Sequence, residues 1–292
     1  MNQRETDLNS LSIVIVNWQT RDCLKACLES ISKYPPSAEF EVIVVDNASS
    51  DGSGEMVRES FPDVRLISSP RNIGYAEGNN RGIEASTGEY MLLLNPDVEV
   101  QLDALDALLA FMKAHPDAAA VGGRLIGSDG KVQSSCRAFP EPMGVLFEYL
   151  KLSAIFPKST FFGSYRMTWF DYSHDAEVDQ PMASCLLISR KAWGEVGKLD
   201  IEYPIFFNEV DWLYRAKRMG WKVWFTSGAE VIHAGGASTR QVKPEMVRES
   251  HRSLVRFYEQ YYKNRVPVPL YWLIILAIKT NSFFASRLRF GN

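Results

Sequence analysis

The chain lacks the marks of several large protein classes. Its apolar block Leu270–Ile278 is nine residues long, too short to span a bilayer. The opening MNQRETDLNS has no apolar signal-peptide core. Its four cysteines (Cys23, Cys27, Cys136, Cys185) show no framework spacing, so a disulfide scaffold is not expected. Cys23 and Cys27 share a helical face, a spacing open to a metal pair. With no further ligands nearby, burial as small hydrophobes is the better reading. A cytoplasmic location follows as the default. Asn17-Trp18-Gln19-Thr20 stands where a dinucleotide fold needs G-x-G-x-x-G, and no G-x-x-x-x-G-K-[ST] loop occurs. Internal repeats and low-complexity tracts are also missing.

What is present belongs to a folded α/β protein. The 292 residues are 46% hydrophobic and 23% charged, enough for a substantial core. Net charge is only -3, yet ten Lys/Arg against three Asp/Glu follow from Arg240 onward. This basic tail on an acidic body points to an anionic surface near the C-terminus. Apolar runs at Leu11–Val16, Phe40–Val45, Val64–Ile67 and Tyr90–Leu94 alternate with helical patterns. That β-α-β-α-β-α-β order predicts a mostly parallel sheet covered by helices. Ser50 or Asp51 is placed to cap the second helix, which runs through Val57. The third helix is expected from Gly78 to Ala85 and a fourth from Leu102 to His115. Val121–Ile126 and Lys131–Ser134 flank Ser128-Asp129-Gly130, the pattern of a hairpin. Residues 137–180 are irregular and aromatic, a composition suited to a variable acceptor-side segment. A strand at Cys185–Ser189, a helix at Glu209–Met219 and a strand at Trp221–Phe225 follow.

Ligands of open α/β sheets bind outside the carboxyl ends of the strands. Three acidic groups fall there: Asp46, Asp97 and Asn208-Glu209-Val210-Asp211. Carboxylates with a divalent cation can hold a nucleotide diphosphate without a glycine loop.

These residues carry a resemblance. Ser12-Ile-Val-Ile-Val-Asn-Trp18, Val45-Asp-Asn-Ala-Ser-Ser-Asp-Gly52, Asn72-Ile-Gly-Tyr-Ala-Glu-Gly-Asn-Asn80 and Leu94-Asn-Pro-Asp97 occur in order. They are followed by Phe206-Phe-Asn-Glu-Val-Asp-Trp212, Gly220-Trp221 and His233-Ala-Gly-Gly-Ala-Ser238. Over residues 11–240 the chain resembles family 2 glycosyltransferases of the GT-A fold, particularly the bacterial rhamnosyltransferase branch.

The resemblance implies an inverting transfer from a nucleotide-diphosphate sugar, dTDP-rhamnose or similar. The acceptor is a saccharide or lipid-linked precursor in cell-surface polysaccharide synthesis. It implies that Asp46 contacts the donor's base or ribose, the alternative being a turn or cap carboxylate. Asn17, Arg71, Asn79 and Asn95 join the implied donor set, with Arg71 alternatively a solvated loop charge. Asp97 takes the last position of the family's D-x-D, which holds Mg²⁺ or Mn²⁺ against the diphosphate; Asn95 replaces the first acid. His233 resembles a late histidine that completes this site, with a structural role as the alternative. Glu209 takes the position of the usual catalytic base, and Asp211 is either a second candidate, a positioning group or the partner of Arg215.

The expected organisation is a polar extension over 1–10, the transferase domain over 11–240 and a helical segment over 241–292. In that last segment, Tyr271 and Trp272 lie in the aliphatic block, with Lys279, Phe283, Phe284, Arg287 and Arg289 beyond. This composition suits peripheral contact with the inner face of the plasma membrane. Packing on the catalytic domain or against a homodimer partner is the alternative, and no nucleic acid partner is expected. Two other classes stay open: a non-catalytic sugar-binding or scaffold protein of the same fold, and a sugar-1-phosphate nucleotidyltransferase. The latter needs a basic glycine-rich loop that is absent.

Overall fold

A computed structural model describes residues 10–235 and 243–288, with backbone alone for 243–245 and 283–288. The polar residues 1–9, Ser238 and the side chains of Phe283, Phe284, Arg287 and Arg289 lie outside the described residues. The first units are β1 (Leu11–Asn17), α1 (Arg21–Lys33), β2 (Phe40–Asp46), α2 (Ser53–Ser60), β3 (Arg65–Ser68), α3 (Gly74–Glu84) and β4 (Tyr90–Leu94). Then come β5 (Val98–Val100), α4 (Ala104–Ala114), β6 (Ala118–Ile126), β7 (Cys136–Arg137), α5 (Pro142–Tyr149) and α6 (Leu152–Ile155). The chain continues through β8 (Ala176–Glu177), β9 (Gln180–Pro181), β10 (Cys185–Ser189), α7 (Arg190–Val196) and α8 (Asn208–Arg218). It closes with β11 (Lys222–His233), α9 (Lys243–Tyr261) and α10 (Val268–Leu288).

β1 is buried along its whole length because helices cover both faces of the sheet. Alternate side chains divide between two cores: Ile13 and Ile15 pack with Leu24, Leu28 and Ile31 of α1, while Val14 packs with Ala76 and Ile83 of α3. A Cβ on Gly82 would sit 2.3 Å from Val14 Cγ1, so glycine lets α3 lie directly on β1. The main sheet runs β3-β2-β1-β4-β10-β6-β11-β5. β3, β2, β1 and β4 are parallel, as the alternation predicts. β10 enters antiparallel between β4 and β6.

Several local expectations shift. α2 is capped at Gly52, and Asp51 acts from one residue further out: Oδ1 accepts from Ser53 N at 3.1 Å and Oδ2 from Arg21 N at 2.9 Å. α3 begins at Gly74, four residues earlier than the apolar pattern indicates. The turn at Gly127–Gly130 forms, but its second arm is only a bridge from Ile126 to Val132, not a strand. β11 extends eight residues past Phe225, to His233, and pairs antiparallel with β5. α9 and α10 share one core with α8: Phe257, Tyr258, Tyr261, Tyr271, Ile274 and Ile278 pack with Trp212, Leu213 and Tyr214.

Candidate active site

A cleft of about 700 Å³ opens at the carboxyl ends of β1, β2 and β4. Val16, Trp18, Asn47, Asn72 and Tyr75 line it from these strands and from α3. Asn95, Pro96, Asp97 and His233 line the middle, and Ser135, Arg137, Tyr165, Phe207, Glu209 and Val210 line it from the later chain.

Register brings Asp97 and His233 together. Val98 of β5 pairs with His233 of β11, and Ala234 N donates to Asp97 O at 3.0 Å. The side chains meet with His233 Nε2 3.5 Å from Asp97 Oδ1, both nearly buried. Gln133 fixes the imidazole. Its Nε2 donates to His233 O at 2.9 Å, which turns its Oε1 onto His233 Nδ1 at 2.8 Å. That network assigns the ring proton to Nδ1. Nε2 is then a buried lone pair with no hydrogen-bond partner, facing a carboxylate oxygen. Two acceptors aimed at one point suit a shared hard cation. Among the described residues no group of three or more His, Cys, Asp or Glu converges. Asn95 turns away from it, with Nδ2 donating to Ser184 Oγ at 3.1 Å.

Glu209 enters the cleft from the first turn of α8. The preceding Phe207 sits in the left-handed region at φ +70°, an unusual state for a bulky residue. Asn208 Nδ2 donates to Ile205 O at 2.8 Å and pins the turn. The same loop is latched to α3, since Tyr75 N and Ala76 N both donate to Pro204 O at 2.6 and 3.2 Å. Gly74, at φ +84°, makes that latch possible: a Cβ there would lie 2.8 Å from Pro204 O. Burial pushes the Glu209 carboxyl up to about 6, against the opposing pull of helix N-terminal amides and of Arg137. The Tyr75 phenol, buried and donating to Ala183 O at 3.1 Å, is raised by burial and by the charges of Glu209 and Asp97. It therefore lies within electrostatic reach of both carboxylates.

The remaining expected residues take other places. Asp211 does not face the cleft. It is fully buried, bonded to Arg215 Nε at 2.8 Å and to Tyr261 Oη at 2.5 Å. It ties α8 to α9, with Arg215 continuing to Val196 O and Lys198 O. Asn17 is also fully buried. Its Nδ2 donates to Asp46 Oδ1 and Ser49 Oγ, both at 3.1 Å, and its Oδ1 accepts from Thr20. Asn79 is buried in α3 with Nδ2 on Tyr75 O. Asn17, Asp46, Arg71 and Asn79 are not among the residues lining the cleft, and the amides of Asn17 and Asn79 are turned to Asp46 and to the α3 backbone. Asp46 stands at the end of β2, held by Asn17 and by Ser49 N at 3.2 Å. Arg71 is exposed beside Asn72. Cys27 is buried and its thiol is pushed up by burial, as expected of a small hydrophobe. Sequence reasoning missed Asn47, Tyr75, Gln133, Arg137 and Tyr165. Asn47 and Tyr75 lay inside recognised motifs, whereas Gln133, Arg137 and Tyr165 come from stretches without regular periodicity.

Comparisons with known proteins bear on the family and the fold. The model of "Glycosyl transferase family 2" matches residues 12–174. The N-acetylglucosaminyl-diphospho-decaprenol L-rhamnosyltransferase of Mycobacterium tuberculosis is 28% identical, over 96% of this chain and 94% of that protein. The low-salt glycan biosynthesis hexosyltransferase Agl10 of Haloferax volcanii is 29% identical, over 79% and 69%. In fold, the mannosyltransferase PcManGT from Pyrobaculum calidifontis, solved with GDP-Man and Mn²⁺, superposes with a TM-score of 0.60 at 16% identity. That superposition covers 94% of this chain and 70% of that one. A mixed sheet with strand-end carboxylates around one cleft, and a family match over more than half the chain, place this protein in glycosyl transferase family 2, as a nucleotide-sugar glycosyltransferase of the GT-A fold.

Proposed function

We propose that the protein is an inverting glycosyltransferase that moves a hexose, with rhamnose from dTDP-rhamnose the favoured case, onto a lipid-linked saccharide acceptor. The observation that carries this reading is the placement of Glu209 and of the Asp97–His233 pair in one cleft, with Tyr75 in reach of both carboxylates. In the reading, Asp46 and Asn47 meet the donor's base or ribose, and Arg71 lies at the rim. The Asn47 amide suits such a contact: Nδ2 is held by Gly74 O at 3.0 Å, and its buried Oδ1 has no partner. Asp97 and His233 would hold Mg²⁺ or Mn²⁺, which when bound offsets charge gathering on the leaving nucleoside diphosphate. Glu209 takes the proton from the acceptor hydroxyl as that oxygen attacks the anomeric carbon opposite the leaving group. A carboxylate titrating near 6 is a stronger base than an ordinary one and stays mostly ionised at neutral pH. Asp211 acts through α8, holding the turn that carries Glu209.

The choice of donor is tested by thermal stabilisation across a panel of nucleotide sugars in Mn²⁺. A ligand at 100 times its Kd adds about 2.7 kcal/mol to folded stability. One dTDP-sugar is expected to raise Tm by several degrees while UDP- and GDP-sugars do not. A specific response to a UDP- or GDP-sugar instead would replace the dTDP assignment.

The acceptor reading extends to the membrane. α10 buries Tyr271, Ile274, Ile275 and Ile278 but exposes Val268, Trp272, Leu273 and Leu276, with Lys279 one turn on. Its outward side is thus apolar as well, and no helix among the described residues is long and apolar enough to cross a membrane. Aromatic and aliphatic side chains beside a lysine suit the interface of an anionic leaflet. The protein is expected to float with phosphatidylglycerol vesicles, and Trp272→Glu with Leu276→Glu to release it without lowering Tm. Unchanged flotation removes the membrane role from this face; halved solution mass on substitution would make it a dimer contact.

A further inference from the structure

The cleft holds a second polar group that transfer from the donor does not use. Ser135 and Arg137 flank Cys136 on an extended ribbon, so their side chains share one side and Cys136 takes the other. Accordingly Cys136 is buried in the core, while Ser135 and Arg137 line the cleft. The ribbon is fixed on both sides. Met182 N donates to Ser135 O at 2.9 Å, β7 pairs with β9, and Ala138 N donates to Tyr165 O at 3.0 Å. The Arg137 guanidinium lies 5.9 Å from the Tyr165 ring centroid, at the edge of cation–π range. Among the described residues Arg137 is the one Lys or Arg lining the cleft, and no carboxylate stands within ion-pair distance of it. Ser135 is 4% exposed, and its hydroxyl's neighbour among the described residues is the Cys136 thiol, a weak partner that a phosphate oxygen can displace.

We infer that Ser135 and Arg137 form a phosphoryl-binding subsite that seats a phosphate of the acceptor on the Glu209 side of the cleft. The inference rests on the reading of Glu209 as base. A planar guanidinium with a neighbouring hydroxyl is a matched donor set for phosphate oxygens. In the proposed function the donor's diphosphate would be met by a cation held at the Asp97–His233 pair. A lone cation near a general base weakens that base, which a neutral acceptor does nothing to correct. An acceptor phosphate neutralises the cation when the hydroxyl is in place, so Glu209 recovers its basicity with the substrate bound. Ile205, Phe206, Phe207, Val210 and Met246 complete this side with apolar surface, suited to an amphiphilic acceptor.

The test compares N-acetylglucosaminyl diphosphate on a short prenyl chain with octyl N-acetylglucosaminide, at pH 8 where Glu209 is ionised. Losing one charge-assisted contact of about 1.5–3 kcal/mol corresponds to roughly 10- to 100-fold. Arg137→Gln is expected to lower the ratio of kcat/KM for the phosphorylated over the neutral acceptor by that factor. Arg137→Lys recovers part of it, and Ser135→Ala loses less. Equal losses with both acceptors would assign Arg137 to the base instead, and weaker binding of dTDP in Mn²⁺ would assign it to the donor; either overturns the inference. Calorimetry with inorganic pyrophosphate in excess chelator decides the case without turnover. Wild type is expected to bind and Arg137→Gln to bind at least tenfold more weakly; equal affinity overturns the subsite even if neither acceptor is used. Failure of the transferase reading shows separately, as absence of stabilisation by any nucleotide sugar.

Discussion

Glu209→Gln is expected to lower kcat by about 10² to 10⁴ while the affinity for the nucleotide sugar stays nearly unchanged. The amide keeps the size of the side chain but cannot take a proton. Wild-type kcat is expected to rise with pH through an inflection near 6, where an ordinary glutamate would place it near 4.5. The sign follows from burial. Desolvation disfavours the charged form, the charged form is the base, and activity is therefore lost as pH falls below the raised value. Stability moves the other way. A carboxyl whose folded pKa is raised contributes stability that is full below 4.5 and lost as pH climbs through 6, a slope that Glu209→Gln removes. Asp211 gives the contrast. Removing one partner of a buried ion pair costs about 3–5 kcal/mol, so Asp211→Ala is expected to appear first in Tm. It leaves Arg215 and Tyr261 without their shared acceptor. Full turnover in Glu209→Gln together with a folded but dead Asp211→Asn would exchange the two assignments.

The sequence reading was most reliable where periodicity carries the signal. β1, β2, β3 and β4 are continuous apolar runs buried on both faces, and their parallel order follows from the helices between them. The places of Asp97 and Glu209 on the cleft were legible because both sit at ends of such elements, beside turn-forming residues. The direction of the Asn17 and Asn79 side chains was hidden for the opposite reason. A motif gives a residue's neighbourhood but not its direction, and both amides turn inward to hold Asp46 and α3. Gln133 acts on His233 from 100 positions away, across a turn whose second arm never becomes a strand. No local pattern encodes that contact. Arg137 belongs to a two-residue strand, too short for alternation to register. The pairing of His233 with Asp97 depends on β11 running past Phe225 through Ser227-Gly228, which the composition presents as a strand end. A register shift between Phe225 and Glu230 lets the strand continue.

Chelation is expected to abolish transfer, with Mn²⁺ or Mg²⁺ restoring it, and Asp97→Asn to lower kcat/KM by about 10² to 10³. Among the described residues the donor set is one carboxylate and one imidazole, with Asn95 in place of a second acid. A cation held so lightly takes its remaining ligands from water and phosphate oxygens, so it should bind well only together with the donor. Mn²⁺ titrated by electron paramagnetic resonance is accordingly expected to bind weakly alone and much more tightly with dTDP present. Gln133 makes the argument sharper. It holds the ring proton on Nδ1 and keeps Nε2 free for the cation. Gln133→Leu touches neither donor nor cation, yet is expected to weaken Mn²⁺ binding by roughly 10- to 100-fold. A structural histidine would lose stability in that variant and leave Mn²⁺ binding where it was. Full transfer in excess chelator would return the pair to a structural role, with Asp97 closing the turn between β4 and β5.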